Sequence, residues 1–163
     1  MSTLPRVNEL IDNPIYENYM IAIEKAEKER RYCKHGFDHG LAVARIAHSF
    51  ILEQGETSLS KEVIYAAALL HDIGRWVEYQ TGEDHAQASA RLALPLLEEC
   101  GYSSEEIKVV VKAIGEHRTH TGENLSTLGR SLALADDWAR DCRQCQAKDG
   151  CHKFSEQMMQ IIY

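Results

Sequence analysis

The sequence lacks the features that mark membrane proteins, secreted proteins and proteins that bind duplex nucleic acid. No apolar run approaches the roughly 20 residues of a membrane-spanning helix. The N-terminal residues MSTLPRVNEL do not place a basic segment before an apolar one. Lys and Arg number 18 against 25 Asp and Glu, so a basic face for a phosphate backbone is not expected. We therefore expect a cytoplasmic protein that binds neither a membrane nor duplex nucleic acid.

The alternation of apolar and polar residues that is typical of β-strands is also lacking, and there are only three prolines. Apolar residues instead recur at helical spacing, and several segments begin with residues that cap helices, including Asn13-Pro14, Ser60 and a capping box from Ser103 to Glu106. We predict an all-α bundle of about six or seven helices. The expected helices cover residues 13–31, 38–55 with Asp38 as the cap, 60–74, 85–100 with a kink or break at Pro95, 103–117, 126–141 and a short stretch within 153–163.

A chain of 163 residues is long enough for one domain with its own core. No internal repeat, low-complexity tract or linker divides it. The least globular stretch is 144–152, where cysteines concentrate. We expect a helical domain over residues 1–141 and a cysteine-rich tail over residues 142–163, which packs on the domain or extends from it.

Two histidines and two aspartates lie on or at the ends of apolar helical stretches. His39 begins the second predicted helix, His71 and Asp72 end the third, and Asp136 lies on the apolar face of the sixth. An unpaired carboxylate is costly to bury, and no nearby Arg or Lys is expected to match these aspartates. A single buried histidine is more often a core residue than a ligand, but four such residues together favour a metal site. His35, in a predicted polar loop, is expected to have no role.

The order of these residues resembles the HD-domain superfamily of metal-dependent phosphohydrolases. The matching stretches are FDHGLAV at 37–43, AALLHDIGR at 67–75 and LAD at 134–136. The resemblance implies a compact HD-type helical bundle in which His39, His71, Asp72 and Asp136 hold a divalent metal. Asp137 beside Asp136 departs from the family pattern. Asp136 is the preferred ligand, because it keeps the Ala-Asp pairing and shares the apolar stripe of its helix.

Some HD proteins carry two further histidines that complete a second metal site, and His85 and His117 resemble these in context. Asp72 would then bridge two ions. The other ligands would divide into His39, His71 and Asp136 on one ion and His85 and His117 on the other. The alternative is that His85 and His117 only line the pocket. Mixed histidine and carboxylate ligands favour Fe, Mn, Co or Zn over Ca, with Mg also open.

The resemblance implies hydrolysis of a small phosphoester, which we take to be a nucleotide, by a metal-activated water. Asp72 and Arg75 are the expected catalytic residues, with Arg75 as a phosphate clamp. Further candidates for substrate binding are Lys34, Arg118 and His120, each of which can also be interpreted as an ordinary solvated residue. Two other functions stay open, namely a two-iron oxygenase on the same fold and a nucleotide-binding sensor without catalysis.

The five cysteines include Cys142, Cys145 and Cys151, at the spacing C-x2-C-x5-C. In a reducing compartment such a cluster indicates metal or redox chemistry rather than disulfides. We predict that these thiolates hold a second, structural metal, either Zn or an iron–sulfur cluster. Candidates for a fourth ligand are His152, Cys100 and Cys33. The alternative is that the cysteines are reduced thiols in a mobile tail.

Overall fold

The fold is known from a computed structural model that describes residues 3–120, 122 and 124–163. In this part of the chain there are eight α-helices and no β-strand, so the predicted all-α fold is confirmed. The helices are α1 (Pro5–Ile11), α2 (Pro14–Ala26), α3 (Phe37–Glu53), α4 (Lys61–Leu70), α5 (Arg75–Thr81), α6 (His85–Glu99), α7 (Ser104–Glu116) and α8 (Thr127–Trp138). Two 3₁₀ turns follow, at Lys148–Gly150 and Glu156–Met159. Within the described ranges no helix combines the length and apolar character needed to cross a bilayer.

Helix α4 is the centre of the bundle. Seven of its ten residues are buried, and it packs against α1, α3, α6, α7 and α8. Its C-terminal half begins with Ala66, Ala67 and Ala68, whose small side chains allow neighbouring helices to approach closely. The end of α4 therefore lies inside the bundle, and His71 and Asp72 that follow it are only 1% and 4% exposed.

The predicted helix starts at Asn13, Ser60 and Ser103 are confirmed. In each case the side chain accepts a hydrogen bond from a backbone N–H of the first turn. Ser103 and Glu106 also complete the reciprocal capping box. Short-range hydrogen bonds thus determine where α2, α4 and α7 begin.

Other predicted helix ends are wrong. Helix α2 ends at Ala26 rather than near Arg31, because the chain turns there and the Glu27 carboxylate faces the interior, where Glu27 is 1% exposed. Helix α3 begins at Phe37, so Asp38 lies within its first turn and is not the cap. A carboxylate in that turn still interacts favourably with the helix dipole.

Pro95 does not divide α6, which runs continuously from His85 to Glu99. The carbonyl that a proline leaves without its helical partner belongs to Arg91, and both residues are exposed. Water can therefore take the lost hydrogen bond while the buried face stays regular. The sequence does not predict α1 and α5, because seven residues make only about two turns. The helix expected within 153–163 is only the 3₁₀ turn Glu156–Met159.

Gly74 allows the turn between α4 and α5 to pack directly on α6. Its N–H donates to Ser89 Oγ at 2.8 Å. A Cβ at this position would lie 2.5 Å from the backbone nitrogen of Ser89 and 2.8 Å from the carbonyl oxygen of His85. Any residue with a side chain would therefore displace the start of α6.

Arg6 fastens α1 to the rest of the bundle. Its Nε donates to Glu62 at 2.6 Å, and its Nη1 donates to Glu106 at 2.7 Å. The guanidinium also lies 4.2 Å from the centre of the Tyr102 ring. One side chain thus joins α1 to α4 and α7.

Residues 142–163, called the tail from here on, lie over the helical bundle with little burial. Only Cys142 and Ala147 are buried within it. Tyr163 Oη donates to Glu53 at 3.1 Å, which attaches the chain end to α3. The division into a domain over 1–141 and a separate tail stays a prediction.

Candidate metal centre

Three helix ends bring four of the predicted ligands together. His39 lies in the first turn of α3, His71 and Asp72 follow α4, and Asp136 lies in the last turn of α8. One ligand atom of each residue lies within 4.8 Å of those of the other three. His39 Nε2 is 3.0 Å from Asp136 Oδ1, and His71 Nε2 is 3.2 Å from Asp72 Oδ2. Atoms at these separations can surround one ion.

Asp72 also belongs to a second group, with His85 at the start of α6 and His117 just after α7. Asp72 Oδ1 lies 3.3 Å from His85 Nε2 and 3.7 Å from His117 Nε2. Its other oxygen, Oδ2, is the atom closest to His71 in the first group. Asp72 therefore stands between the two groups as a bridging carboxylate does. The six residues of both groups are called the His/Asp centre below.

Hydrogen bonds at Nδ1 orient two of these histidines. His71 Nδ1 lies 2.6 Å from the carbonyl oxygen of Ala68, and His117 Nδ1 lies 2.7 Å from that of Ile114. Because a carbonyl oxygen only accepts, each Nδ1 carries a proton. In the neutral ring Nε2 then has its lone pair free, as in a metal ligand held by an outer partner.

His85 and His117 face each other through their Nε2 atoms, 3.3 Å apart. His85 Nδ1 is occupied by the Glu78 carboxylate at 2.8 Å. Both Nδ1 atoms therefore hold protons, and two unprotonated nitrogens are left in contact. A cation bound to both would replace this repulsion with attraction.

Three buried atoms of the centre make no hydrogen bond of normal geometry among the described residues, although carboxylate oxygens lie 3.0 and 3.2 Å from the two nitrogens: His39 Nε2, His71 Nε2 and Asp72 Oδ2. Leaving such atoms unsatisfied costs about 1–3 kcal/mol each. Imidazole nitrogen and carboxylate oxygen are both ligands of divalent transition metals. The residues present therefore fit a metal ion.

The charge states also suit a cation. Burial lowers the pKa of His85 to about 3 and the pKa of His117 to about 4, so both rings are neutral. Burial opposes the charged form of His71 too, but the Asp72 and Asp136 carboxylates outweigh it and raise its pKa to about 10. The pKa values of both aspartates stay well below the usual range despite burial, because histidines face them. Metal binding would release the proton from His71.

Each aspartate also has an arginine partner, so the expectation that no Arg or Lys matches them is wrong. Arg75 Nε donates to Asp72 Oδ1 at 3.0 Å. Arg140 Nη2 donates to both oxygens of Asp136, at 2.8 and 2.9 Å. The partners lie three and four residues further along the chain, a spacing that brings side chains together. These arginines offset the negative charge of the two aspartates. They make no hydrogen bond to His39 Nε2, His71 Nε2 or Asp72 Oδ2.

A cavity of about 310 Å³ opens beside the His/Asp centre and is lined by His85, His117 and Asp136. Only Asp136 is acidic among its described lining residues. Its basic lining residues are Arg30, Arg75, Arg118, Arg140 and Lys153. The tail contributes Cys142, Cys151, His152, Lys153, Phe154 and Met158. In a chain with a net charge of −7, this cavity is therefore locally basic and partly covered by the tail.

The other candidates for substrate binding lie at the edge of the centre. Arg118 and His120 line the cavity, with side chains 50% and 51% exposed. Arg118 pairs with Asp84, and His120 Nδ1 lies 3.6 Å from Asp137 Oδ2. Lys34 instead lines a neighbouring cavity of about 390 Å³. The structure thus brings Arg118 and His120, but not Lys34, to the basic cavity.

His35 lies in the loop before α3, as expected, but it is buried beside the centre and not solvated. Its Nδ1 lies 2.5 Å from Glu27 Oε1, and Tyr79 Oη donates to the same oxygen at 2.6 Å. The His35 ring meets the His39 ring edge-on, with centroids 5.5 Å apart. The hydrogen bonds of this network fix the His35 ring, which packs against the ring of His39. Nothing local in the sequence indicates it, because it depends on the loop after α2 folding back.

The tail cysteines are placed differently from the predicted histidine and aspartate ligands. Among the described residues, neither group of close ligand atoms includes a cysteine. Cys142 is buried, and Cys145, Cys151 and Cys33 are partly exposed. A structural metal at the tail therefore stays a prediction.

Comparison with known proteins places these observations in a family context. The family model of the HD domain matches residues 36–141, a range that contains all six residues of the His/Asp centre and ends before the tail. An uncharacterised protein of Clostridium beijerinckii (strain ATCC 51743 / NCIMB 8052) is 34% identical over 160 residues, which covers 98% of this chain and 99% of that protein. No solved structure matches the chain.

Proposed function

This chain belongs to the HD-domain family, and from that premise we propose that it is a metal-dependent phosphohydrolase acting on a small phosphoester, such as a nucleotide. The observation that carries the proposal is the position of Asp72. Its two oxygens face different sets of histidines, next to a cavity lined by arginines. Carboxylates that bridge two ions are suited to phosphoester displacement.

Under this proposal His39, His71, Asp72 and Asp136 would hold one ion, and Asp72, His85 and His117 would hold a second. Bound divalent metal supplies an activated water as nucleophile and offsets charge on phosphoryl oxygens. The chain itself keeps the ligands ready. Backbone carbonyls and Glu78 hold the imidazole rings at Nδ1, and the two arginines orient the carboxylates.

The basic cavity is the proposed binding site for the phosphoester. Arg75 lines it while Asp72 holds its Nε, so its position relative to the metal ligands is set and suits a phosphate clamp. Tyr32 and Phe154 add aromatic surfaces of the kind on which nucleobases stack. A volume of about 310 Å³ is at the lower end for small-molecule sites and favours a mononucleotide-sized substrate.

The test is a screen of the full chain, purified without chelator and loaded with Mn, Co, Fe or Zn, for phosphate release from nucleotides and sugar phosphates. We expect release with at least one nucleotide and none after His71→Ala. His48→Ala is the matched control, because His48 contacts Tyr65 outside the centre and should leave turnover unchanged. Loading with metal and no release from any phosphoester would contradict the proposal.

The same screen distinguishes hydrolysis from two-iron oxygenation. Hydrolysis needs no dioxygen and tolerates redox-inert Zn. We therefore expect equal turnover in anaerobic and aerated buffer. Turnover that required iron and stopped without oxygen would replace the hydrolase with an oxygenase.

A further inference from the structure

Four cysteines from two distant parts of the chain converge beside the His/Asp centre. Cys33 and Cys142 line both the cavity of about 310 Å³ and the neighbouring one of about 390 Å³, Cys151 lines the first and Cys145 lines the second. We propose that these residues, called the thiol cluster, bind a metal as a four-thiolate centre. Tetrahedral zinc and iron–sulfur clusters both use this ligand set.

Contacts outside the cysteines hold the two parts of the chain together. Tyr32 Oη donates to the carbonyl of Gly150 at 3.1 Å, which joins the loop of Cys33 to the residue before Cys151. The Cys145 N–H donates to the Cys142 carbonyl at 3.4 Å, closing a turn between the paired cysteines. A C-x2-C turn together with two cysteines from elsewhere is a common ligand arrangement for such metals.

The structure selects Cys33 as the fourth ligand. Cys100 caps α6, is 2% exposed and packs in the hydrophobic core, and neither cavity that the thiol cluster lines includes it. His152 is exposed, whereas Cys33 is partly buried. Cys33 shares both cavities with Cys142.

The Arg140 guanidinium pairs with Asp136 and Asp137 through its terminal nitrogens, and its Nε gives an independent indication that a hydrogen-bond acceptor belongs here. Its Nε is buried and has no hydrogen-bond partner among the described residues. The side chain is 6% exposed and lines both cavities with Cys33 and Cys142. Sulfur of a metal-bound thiolate accepts such charge-assisted hydrogen bonds, and donors of this kind tune thiolate metal sites.

A metal at the thiol cluster would be bound by thiolates rather than thiols. Burial raises the pKa of Cys142, and the nearby Cys33, Cys145 and Cys151 raise it further. Four thiolates would repel one another without a cation. Metal binding displaces the protons and removes this repulsion.

Metal binding would also shape the tail. A single tetrahedral ion with Zn–S bonds of about 2.3 Å needs sulfurs about 3.8 Å apart, whereas the close ligand groups among the described residues include no cysteine. Loading would therefore draw the tail towards Cys33. Small segments that cannot build a core commonly depend on such staples, and only two tail residues are buried.

The test uses the full chain, reconstituted with Co²⁺ alone. We expect thiolate-to-cobalt charge-transfer absorption, which imidazole and carboxylate ligands do not give. Cys33→Ser leaves three thiolates and should lower this absorption by roughly a quarter or more, whereas Cys142→Ser with Cys145→Ser should abolish it and lower bound metal by one equivalent. Cys100→Ser should leave both unchanged. His71→Ala should retain the absorption, so failure of the proposed hydrolase and failure of the thiol cluster are distinguishable.

Thiol titration covers the case in which a cysteine variant fails to fold. In the native parent, purified anaerobically, we expect a thiol reagent to reach none of the cluster cysteines until a chelator is added. Zinc that His71→Ala retains and the double variant Cys142→Ser with Cys145→Ser loses, or iron with acid-labile sulfide, would identify the metal and support the proposal. Rapid reaction of Cys33, Cys145 and Cys151 before chelation, or a disulfide between any two cluster cysteines, would overturn it.

Discussion

Arg140 contacts the His/Asp centre through Asp136 and lines both cavities of the thiol cluster, yet the two sites are built in opposite ways. Ligands of the His/Asp centre lie on α-helices or directly at their ends, and most are at least nine-tenths buried. Three of the four cluster cysteines lie in a tail of turns in which only Cys142 and Ala147 are buried. In the His/Asp centre the ligand atoms of each group lie within 4.8 Å of one another without an ion. The cysteine sulfurs of the thiol cluster form no such group in the part of the chain that the structure describes.

The two sites differ in what supplies the free energy that fixes their conformation. Helices, caps and core packing hold the His/Asp centre, so a metal there would add charge balance to a site that is already formed. The tail has too little buried surface to fix its own conformation, so a metal at the thiol cluster would supply the order. Removing a ligand should therefore damage chemistry in the first region and local stability in the second.

The largest effect is expected for Asp72→Asn. The isosteric amide keeps the packing but removes the charge that faces both groups of histidines. We expect loss of bound metal and a fall in kcat/KM on the order of 10³-fold. Tm should also fall, because Arg75 and His71 lose their charged partner. Asp137→Asn is the control, because its side chain is 27% exposed and outside both groups. Full metal content in Asp72→Asn would contradict the bridging role.

A smaller loss is expected for His117→Ala, which removes one ligand of the second ion only. The metal-to-protein ratio should fall from two towards one, and kcat by about 10- to 100-fold, because the four ligands of the first ion remain. His120→Ala should keep both ions, since His120 is half exposed and pairs with Asp137. Metal analysis of the fully loaded parent protein checks this. A metal-to-protein ratio of one would refute the two-ion centre.

Cys142→Ser with Cys145→Ser should affect stability rather than chemistry. Because the tail buries so little, we expect Tm to fall by only about 2–4 °C, equivalent to about 1 kcal/mol. Trypsin should cleave much faster at Lys148 and Lys153. We expect kcat per folded molecule to survive largely and KM to rise, because Cys142 and Phe154 line the proposed substrate cavity. Equal cleavage rates in parent and variant would show that the thiol cluster does not order the tail.

The smallest effect is expected far from both centres, at Glu106→Gln. Glutamine preserves the capping box but loses the charge that faces Arg6. The Arg6 guanidinium holds the pKa of Glu106 below its usual value, so its contribution is present above about pH 4.3 and is lost as the pH falls through the folded pKa. We expect the free energy of unfolding in urea to be about 0.5 kcal/mol lower for the variant than for the parent at pH 7. This difference should vanish at acid pH. A deficit independent of pH would point to packing instead.

The parts of the fold that follow from short-range patterns could be predicted from the sequence. The caps at Asn13, Ser60 and Ser103 each depend on residues a few positions away, and all three are confirmed. Pro95 illustrates the limit. Its effect on α6 depends on whether the carbonyl of Arg91 faces solvent, which is a property of the packed bundle.

The candidate site shows the same division. Each of four predicted ligands is a polar residue on or next to the apolar stripe of one helix, so it can be recognised from the periodicity of that helix alone. These residues are His39, His71, Asp72 and Asp136. The support that Glu27 gives His35 depends on a loop folding back onto α2, and periodicity carries no information about it. The assignment of the six ligands stays a prediction until metal is measured.

The spacing between the two groups of metal ligands depends on a residue that is no ligand. Gly74 seats α6 against the turn after Asp72, and the atoms that a Cβ would meet there belong mainly to the backbone at Ser89 and His85. Backbone atoms cannot rotate out of the way as a long side chain can. The close backbone contact at Gly74 therefore sets the distance from Asp72 to His85. A larger residue at position 74 would therefore change the separation of Asp72 and His85.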